Sequence, residues 1–198
     1  MLVKPPLTNF AKILASFHPI IIEGMGSYDH REPKNVAKRV VARLENYWFE
    51  NPPVKPLLLM TQGDPRREKG ISAITPLVAD YLGVPRGIVI LDEKYDRSHS
   101  YEADRENVIL EFKYSQLLEM LDQFQGGLYD KIEKAIDLEF EKKDYRRAAV
   151  GKKPQPYYFR TFALLQEVTK AVCKLFCNDI SIVHTSAKIN EFSVSSFY

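Results

Sequence analysis

The chain has 198 residues, 45% of them apolar and 12% aromatic, with 28 basic and 26 acidic side chains for a formal net charge of +2. That length suits one α/β domain, and the apolar share suffices for a core, which excludes disordered and fibrous chains. So small a net charge leaves no concentrated basic footprint, so no nucleic-acid partner is expected, and no run approaches the roughly 20 apolar residues that span a bilayer.

In chain order, Thr8 to Phe17 predicts a short helix with Phe10, Ile13, Leu14 and Phe17 on one face. This N-terminal stretch has neither the uninterrupted apolar segment nor the cleavage site of a signal peptide, so a cytoplasmic protein is expected. Pro19 to Glu23 reads as a buried strand, and Gly24 and Gly26 open a loop through Ser27, Tyr28, Asp29 and His30. Pro33 suits the first turn of a helix carrying Val36, Val40, Leu44 and Trp48 about one turn apart, stopped by Asn51-Pro52-Pro53. A second apolar run, Lys55 to Met60, ends in Gln62-Gly63-Asp64-Pro65 and passes into a charged loop with Arg66 and Arg67. Ser72 is placed as N-cap of a helix through Leu82, closed by Gly83. Gly87 to Leu91 is the third strand.

An acid-rich loop follows from Asp92 to Asn107, then an expected helix from about Asp104 to Gln123 with Val108, Leu110, Tyr114, Leu117, Leu118 and Leu121, broken by Gly126-Gly127. Leu128 to Phe140 is helical with interleaved charges, Lys142 to Pro156 reads as an exposed linker or arm, and Tyr157 to Cys177 is helical again. Ile180 to His184 is a fourth strand, followed by a short helix from Ala187. Residues 126–177 therefore read as a helical insertion before the last strand, either capping the strand-end crevice or serving a homodimer. Strand alternating with helix implies a parallel sheet, which binds ligands beyond the carboxyl ends of its strands.

Candidate chemistry sits on those ends. Gly24 and Gly26 would let a ligand approach backbone, and a helix N-terminus beyond them favours anions; the third glycine of the dinucleotide fingerprint is missing. Arg66 and Arg67 suit a carboxylate or phosphate, against a plain solvated loop. Ser72 has no adjacent base and is read as a cap. The acidic loop offers oxygen ligands for Mg²⁺ or Ca²⁺, but it lacks the spacing of a calcium loop and is read as solvated, so no resident metal is expected. His30, His99 and His184 are acid–base candidates, with His30 and His184 at strand-end loops and His18 at the opposite end. Cys173 and Cys177, four apart on a helix beside Leu175 and Phe176, are read as core thiols.

The order of elements resembles the YdcF/SanA/ElyC-like family, whose domain is Rossmann-like. The corresponding residues are Gly24 and Gly26, Arg39 or Arg43, Gln62-Gly63, Ser72, Leu82-Gly83-Val84-Pro85, Ile88 to Leu91, Glu106-Asn107 and the late Ile182 to Ala187. Matched segments cover about half the chain. The family's Ser-Glu-Ala is replaced here by Ser72-Ala73-Ile74, and its later histidine and arginine by Ile189 and Phe192. The resemblance implies a three-layer Rossmann-like α/β domain over residues 1–198. It further implies a small nucleotide-like or S-adenosylmethionine-like ligand held by Gly24, Gly26, Gln62, Gly63, Ser72, Glu106 and Asn107. The alternatives are a hydrolase or transferase for a phosphorylated or envelope-related substrate, using His30 or His184 with Arg66 or Arg67, and an interaction scaffold on a decayed site.

Overall fold

The computed structural model describes residues 5–23, 32–62, 71–91, 108–155 and 157–185. Five strands, β1 (His18–Glu23), β2 (Pro56–Gln62), β3 (Arg86–Ile90), β4 (Val108–Lys113) and β5 (Ser181–His184), form one sheet in the order β4-β3-β2-β1-β5. Every pairing is parallel. Six helices accompany them: α1 (Pro5–Ala15), α2 (Pro33–Tyr47), α3 (Ile71–Leu82), α4 (Tyr114–Phe124), α5 (Leu128–Ala149) and α6 (Tyr157–Phe176).

A parallel sheet must be covered on both faces, because the crossovers that join its strands carry helices over it. Alternation along each strand sorts the two layers. Ile20, Ile22, Leu58 and Val183 point to the face closed by Val36, Val40 and Leu44 of α2 and Ile74 and Val78 of α3. Ile21, Leu57, Leu59, Val89 and Ile182 point the other way, onto Leu14 of α1, Leu117 and Leu121 of α4, and Leu165, Val168 and Val172 of α6. The α5 helix adds Leu128, Ile132 and Ile136 to this second cluster by packing on α4 and α6. The result is the three-layer, Rossmann-like α/β arrangement that the strand–helix rhythm predicts. Gly87 matters at one close approach: a Cβ there would lie 2.8 Å from Leu59 Cδ2.

Local signals operate where expected at several ends. Pro33 opens α2. Gly83, at φ +66°, closes α3 with Val84 N–H donating to Ala79 O at 3.1 Å. Gly127, at φ +85°, separates α4 from α5.

Four expectations are corrected. The helix placed at 104–123 begins only at Tyr114, because Val108–Lys113 is an edge strand: β-branched Val108 and Ile109 precede Leu110 and Phe112, which alternate onto the sheet. A hydrogen bond from Lys113 N–H to Gln116 Oε1 (2.9 Å) turns strand directly into helix. The arm expected at 142–156 is helical as far as Ala149. Ile13 of α1 is exposed, while Phe10 and Phe17 are partly and Leu14 fully buried. Ser72 is the second residue of α3, within its first turn, so it does not precede the helix as a cap residue does. Within 126–177, α6 lies against the sheet as part of its covering layer and reaches the strand ends with one side chain, described next. Cys173 and Cys177 are buried and free, the thiol of Cys177 reaching the Leu14 carbonyl at 3.4 Å. The helix expected from Ala187 lies outside the described residues.

Candidate functional site

Strand order locates the crevice. The chain lays down β1, β2, β3 and β4 in one direction across the sheet, then returns to place β5 on the free side of β1. That reversal between β1 and β5 is the topological switch point of the sheet, and open parallel sheets receive ligands beyond the carboxyl ends of their strands at such a point. The last residues of these strands, Glu23 and His184, are register partners. Both share the parity of Ile21 and Ile182, so both side chains project onto the α6 face.

There they meet. His184 Nε2 lies 3.0 Å from Glu23 Oε2, while Glu23 Oε1 is in contact with the ammonium of Lys170 on α6. Lys170 in turn pairs with Glu167 Oε1, one turn earlier on the helix, at 2.5 Å. The lysine side chain is 2% exposed and that of Glu23 11%, so this contact is desolvated; His184 keeps 25% of its surface and is the outlet to solvent. From the opposite face Arg43 of α2 donates to the His184 carbonyl at 2.6 Å, and Thr185 N–H donates to the Glu23 carbonyl at 2.9 Å, tying the exits of the two strands together. Lys174 lies a turn beyond Lys170; burial, and then repulsion from Lys170, hold its ammonium below the usual range against the pull of Glu167 and Glu23. Among the described residues, Lys170 and Lys174 thus accompany Glu23 and Glu167 beside a carboxylate–imidazole pair able to exchange a proton.

Of the residues expected at the site, His184 stands at the switch point, and Gln62 ends β2 on the same edge of the sheet, paired with Ile90. Ser72 lies in the first turn of α3. Gly24, Gly26, His30, Gly63, Arg66, Arg67, Glu106 and Asn107 fall outside the described residues. Arg43, rather than Arg39, reaches the strand end. Sequence reasoning missed Glu23 and Lys170. Their signals were an acid closing an apolar strand, and a lysine set in the apolar run from Val168 to Cys173.

Among the described residues no group of three His, Cys, Asp or Glu side chains is placed to hold a metal ion. Among them, too, no helix is long and apolar enough to cross a membrane. Compared with known protein families, curated proteins and solved structures, the chain matches none.

Proposed function

We propose that this chain is a small-ligand-binding α/β protein of the YdcF-like type, its ligand nucleotide-like or S-adenosylmethionine-like and seated beyond the carboxyl ends of β1 and β5. The observation that carries this reading is the Glu23–His184 pair at the topological switch point, the place where open parallel sheets receive ligands. A buried lysine, two carboxylates and a partly exposed imidazole at that spot exceed what closing the strand ends requires. Glu23 and His184 would hydrogen-bond the polar edge of the ligand, and Lys174 beside them would favour an anionic group on it. The buried thiols of Cys173 and Cys177 fit a reducing compartment, and a cytoplasmic location belongs to the proposal.

Thermal unfolding against S-adenosylmethionine, S-adenosylhomocysteine, nucleotides and sugar phosphates tests it. A ligand at 100 times its Kd stabilises by about 2.7 kcal/mol. For a chain of this size that raises the midpoint by about 5–10 °C. The shift should vanish in His184→Ala; a panel without any shift would overturn the reading.

The hydrogen-bond contact between Glu23 and His184 favours a second reading, a hydrolase or transferase for a phosphorylated substrate. A carboxylate that orients an imidazole is the recurrent form of an acid–base pair. A bell-shaped pH–rate profile lost in His184→Ala would select it over binding alone.

A further inference from the structure

Lys170 is buried in the middle of α6, yet its ammonium reaches the end of β1. We infer that Lys170 is a positioning residue that sets the protonation of His184 through Glu23. This rests, for its meaning, on the reading of the strand-end cleft as the ligand site.

A carboxylate 3.0 Å from an imidazole, acting alone and out of water, favours the imidazolium and moves its midpoint upward by about 1–3 units. Such a ring stays charged across the neutral range and neither gives nor takes a proton there. Glu23 does not act alone. One of its oxygens is taken by the Lys170 ammonium and only the other faces the ring. The lysine balances the carboxylate charge, so Glu23 orients the imidazole without committing it to the protonated form. Glu167, at 2.5 Å, anchors the lysine from the preceding turn and takes a share of its charge. Elsewhere around the pair, Arg43 of α2 donates to the His184 carbonyl from the opposite face of the sheet, and Lys174 of α6 interacts with Glu23, Glu167 and Lys170. The lysine at position 170, acting through Glu23, therefore bears on the charge of the imidazole that a ligand at the strand ends would meet.

The arrangement also links a helix to the site. Glu23 lies on β1 and His184 on β5, but Lys170 and Glu167 come from the layer above, so a displacement of α6 would alter the charge on the imidazole with no ligand contact of its own.

The test is a histidine-resolved NMR pH titration of the full chain, which has four histidines. In Lys170→Met the midpoint of His184 should rise by about one unit, and in Glu23→Gln it should fall by a similar amount. Lys170→Arg, which keeps the charge, should restore a midpoint near that of the wild type. Should Lys170→Met fail to fold, Glu167→Gln answers instead. It leaves Lys170 wholly to Glu23, and the His184 midpoint should move down by a fraction of a unit. His18, at the other end of β1 and about 17 Å away along the strand, should hold its midpoint in every variant. Coincident His184 midpoints in the wild type and Lys170→Met, or in the wild type and Glu167→Gln where that variant is the one measured, would overturn the inference. No ligand enters this titration. Coupling without a thermal shift would therefore remove the ligand proposal and leave Lys170 in place, and a ligand shift without coupling would do the reverse.

Discussion

The strands β1 and β5 run side by side, and their two ends are held together in opposite ways. At the amino end His18 Nε2 and Ser181 Oγ share a hydrogen bond of 2.7 Å, Trp48 Nε1–H donates to the same hydroxyl at 3.2 Å, and the Trp48 ring meets the imidazole edge to face. Asp179, largely exposed, stands off at 4.0 Å. Burial is the dominant influence on His18 and pushes its titration down, so the native state prefers the neutral ring. At the carboxyl end the same two strands bring a carboxylate, an imidazole and an ammonium together, with an arginine on the adjoining carbonyl. Both ends satisfy their buried polar groups, as they must. Only one of them does so with desolvated charge. Neutral hydrogen bonds close the amino end at little cost, which shows that closure alone does not call for the carboxyl-end network. A buried ion pair seldom stabilises more than the apolar residues that might replace it, so its presence at the ligand-receiving end points to use.

The largest expected effect breaks the charged end. Lys170→Ala leaves Glu23 buried beside a cavity with its principal cation gone, and removing one partner of a buried pair costs about 3–5 kcal/mol. Urea unfolding should register that loss, and the double variant Lys170→Met with Glu23→Gln should recover part of it, because no carboxylate is then stranded beside the missing ammonium. A loss under about 1 kcal/mol in Lys170→Ala, the size seen for exposed pairs, would mean that the network is solvated and the contrast between the ends false. The amino end should answer more weakly. Ser181→Ala removes the hydroxyl shared by His18 and Trp48 at a cost of about 1–3 kcal/mol. Added salt should leave that loss unchanged, since no ion pair is involved.

The contrast was only half legible in the sequence, for physical reasons. Parallel strands covered on both faces, the central β1, β2 and β3 and the buried edge strand β5, show as short apolar runs punctuated by Gly, Pro or acid. At the other edge, β4 leaves its Ile109 exposed, and Leu110 falls in step with Tyr114, Leu117 and Leu121, so helical spacing hid the strand. His184 could be singled out because a histidine closing an apolar strand of an α/β chain has to stand at the ligand edge. Glu23 occupies the same kind of position on β1, but its role depends on which strand lies beside it, and strand order is not written in local pattern. Lys170 was hidden more deeply. As part of a helical insertion, a lysine on α6 has no reason to meet β1; the packing of that helix on the sheet is what brings it there.

The pH dependence of stability should separate the ends further. Because burial lowers the titration of His18 in the native state, the unfolded chain takes up its proton first as pH falls. The stability due to the neutral ring is therefore complete above about pH 6.5 and declines below it, towards the lower native midpoint. Measured by denaturant unfolding between about pH 7 and pH 5, the range in which an ordinary imidazole titrates, His18→Gln should flatten this part of the profile. An unaltered slope would mean that His18 is not the group responsible.

The smallest effect belongs to an ion pair outside both ends. Arg160 of α6 donates to Asp137 of α5 at 2.5 and 3.2 Å and to Glu133 at 3.1 Å, a geometry as close as that around Lys170. The hydrogen bond from Arg160 holds the Asp137 carboxyl below its ordinary range, only partly opposed by burial, so its contribution is present above about pH 3.9 and is lost as pH falls through the lower native value. Yet Asp137 keeps 43% of its side chain in solvent, where screening and side-chain entropy offset most of the attraction. Asp137→Asn should accordingly cost no more than about 0.5 kcal/mol at neutral pH, read by the same unfolding experiment. Set beside Lys170→Ala, that difference separates geometry from environment. If two pairs of similar contact distance differ several-fold in what their removal costs, desolvation rather than pairing sets the carboxyl end apart. If they cost the same, the burial of Lys170 carries no special weight and the switch point is held by ordinary ion pairing.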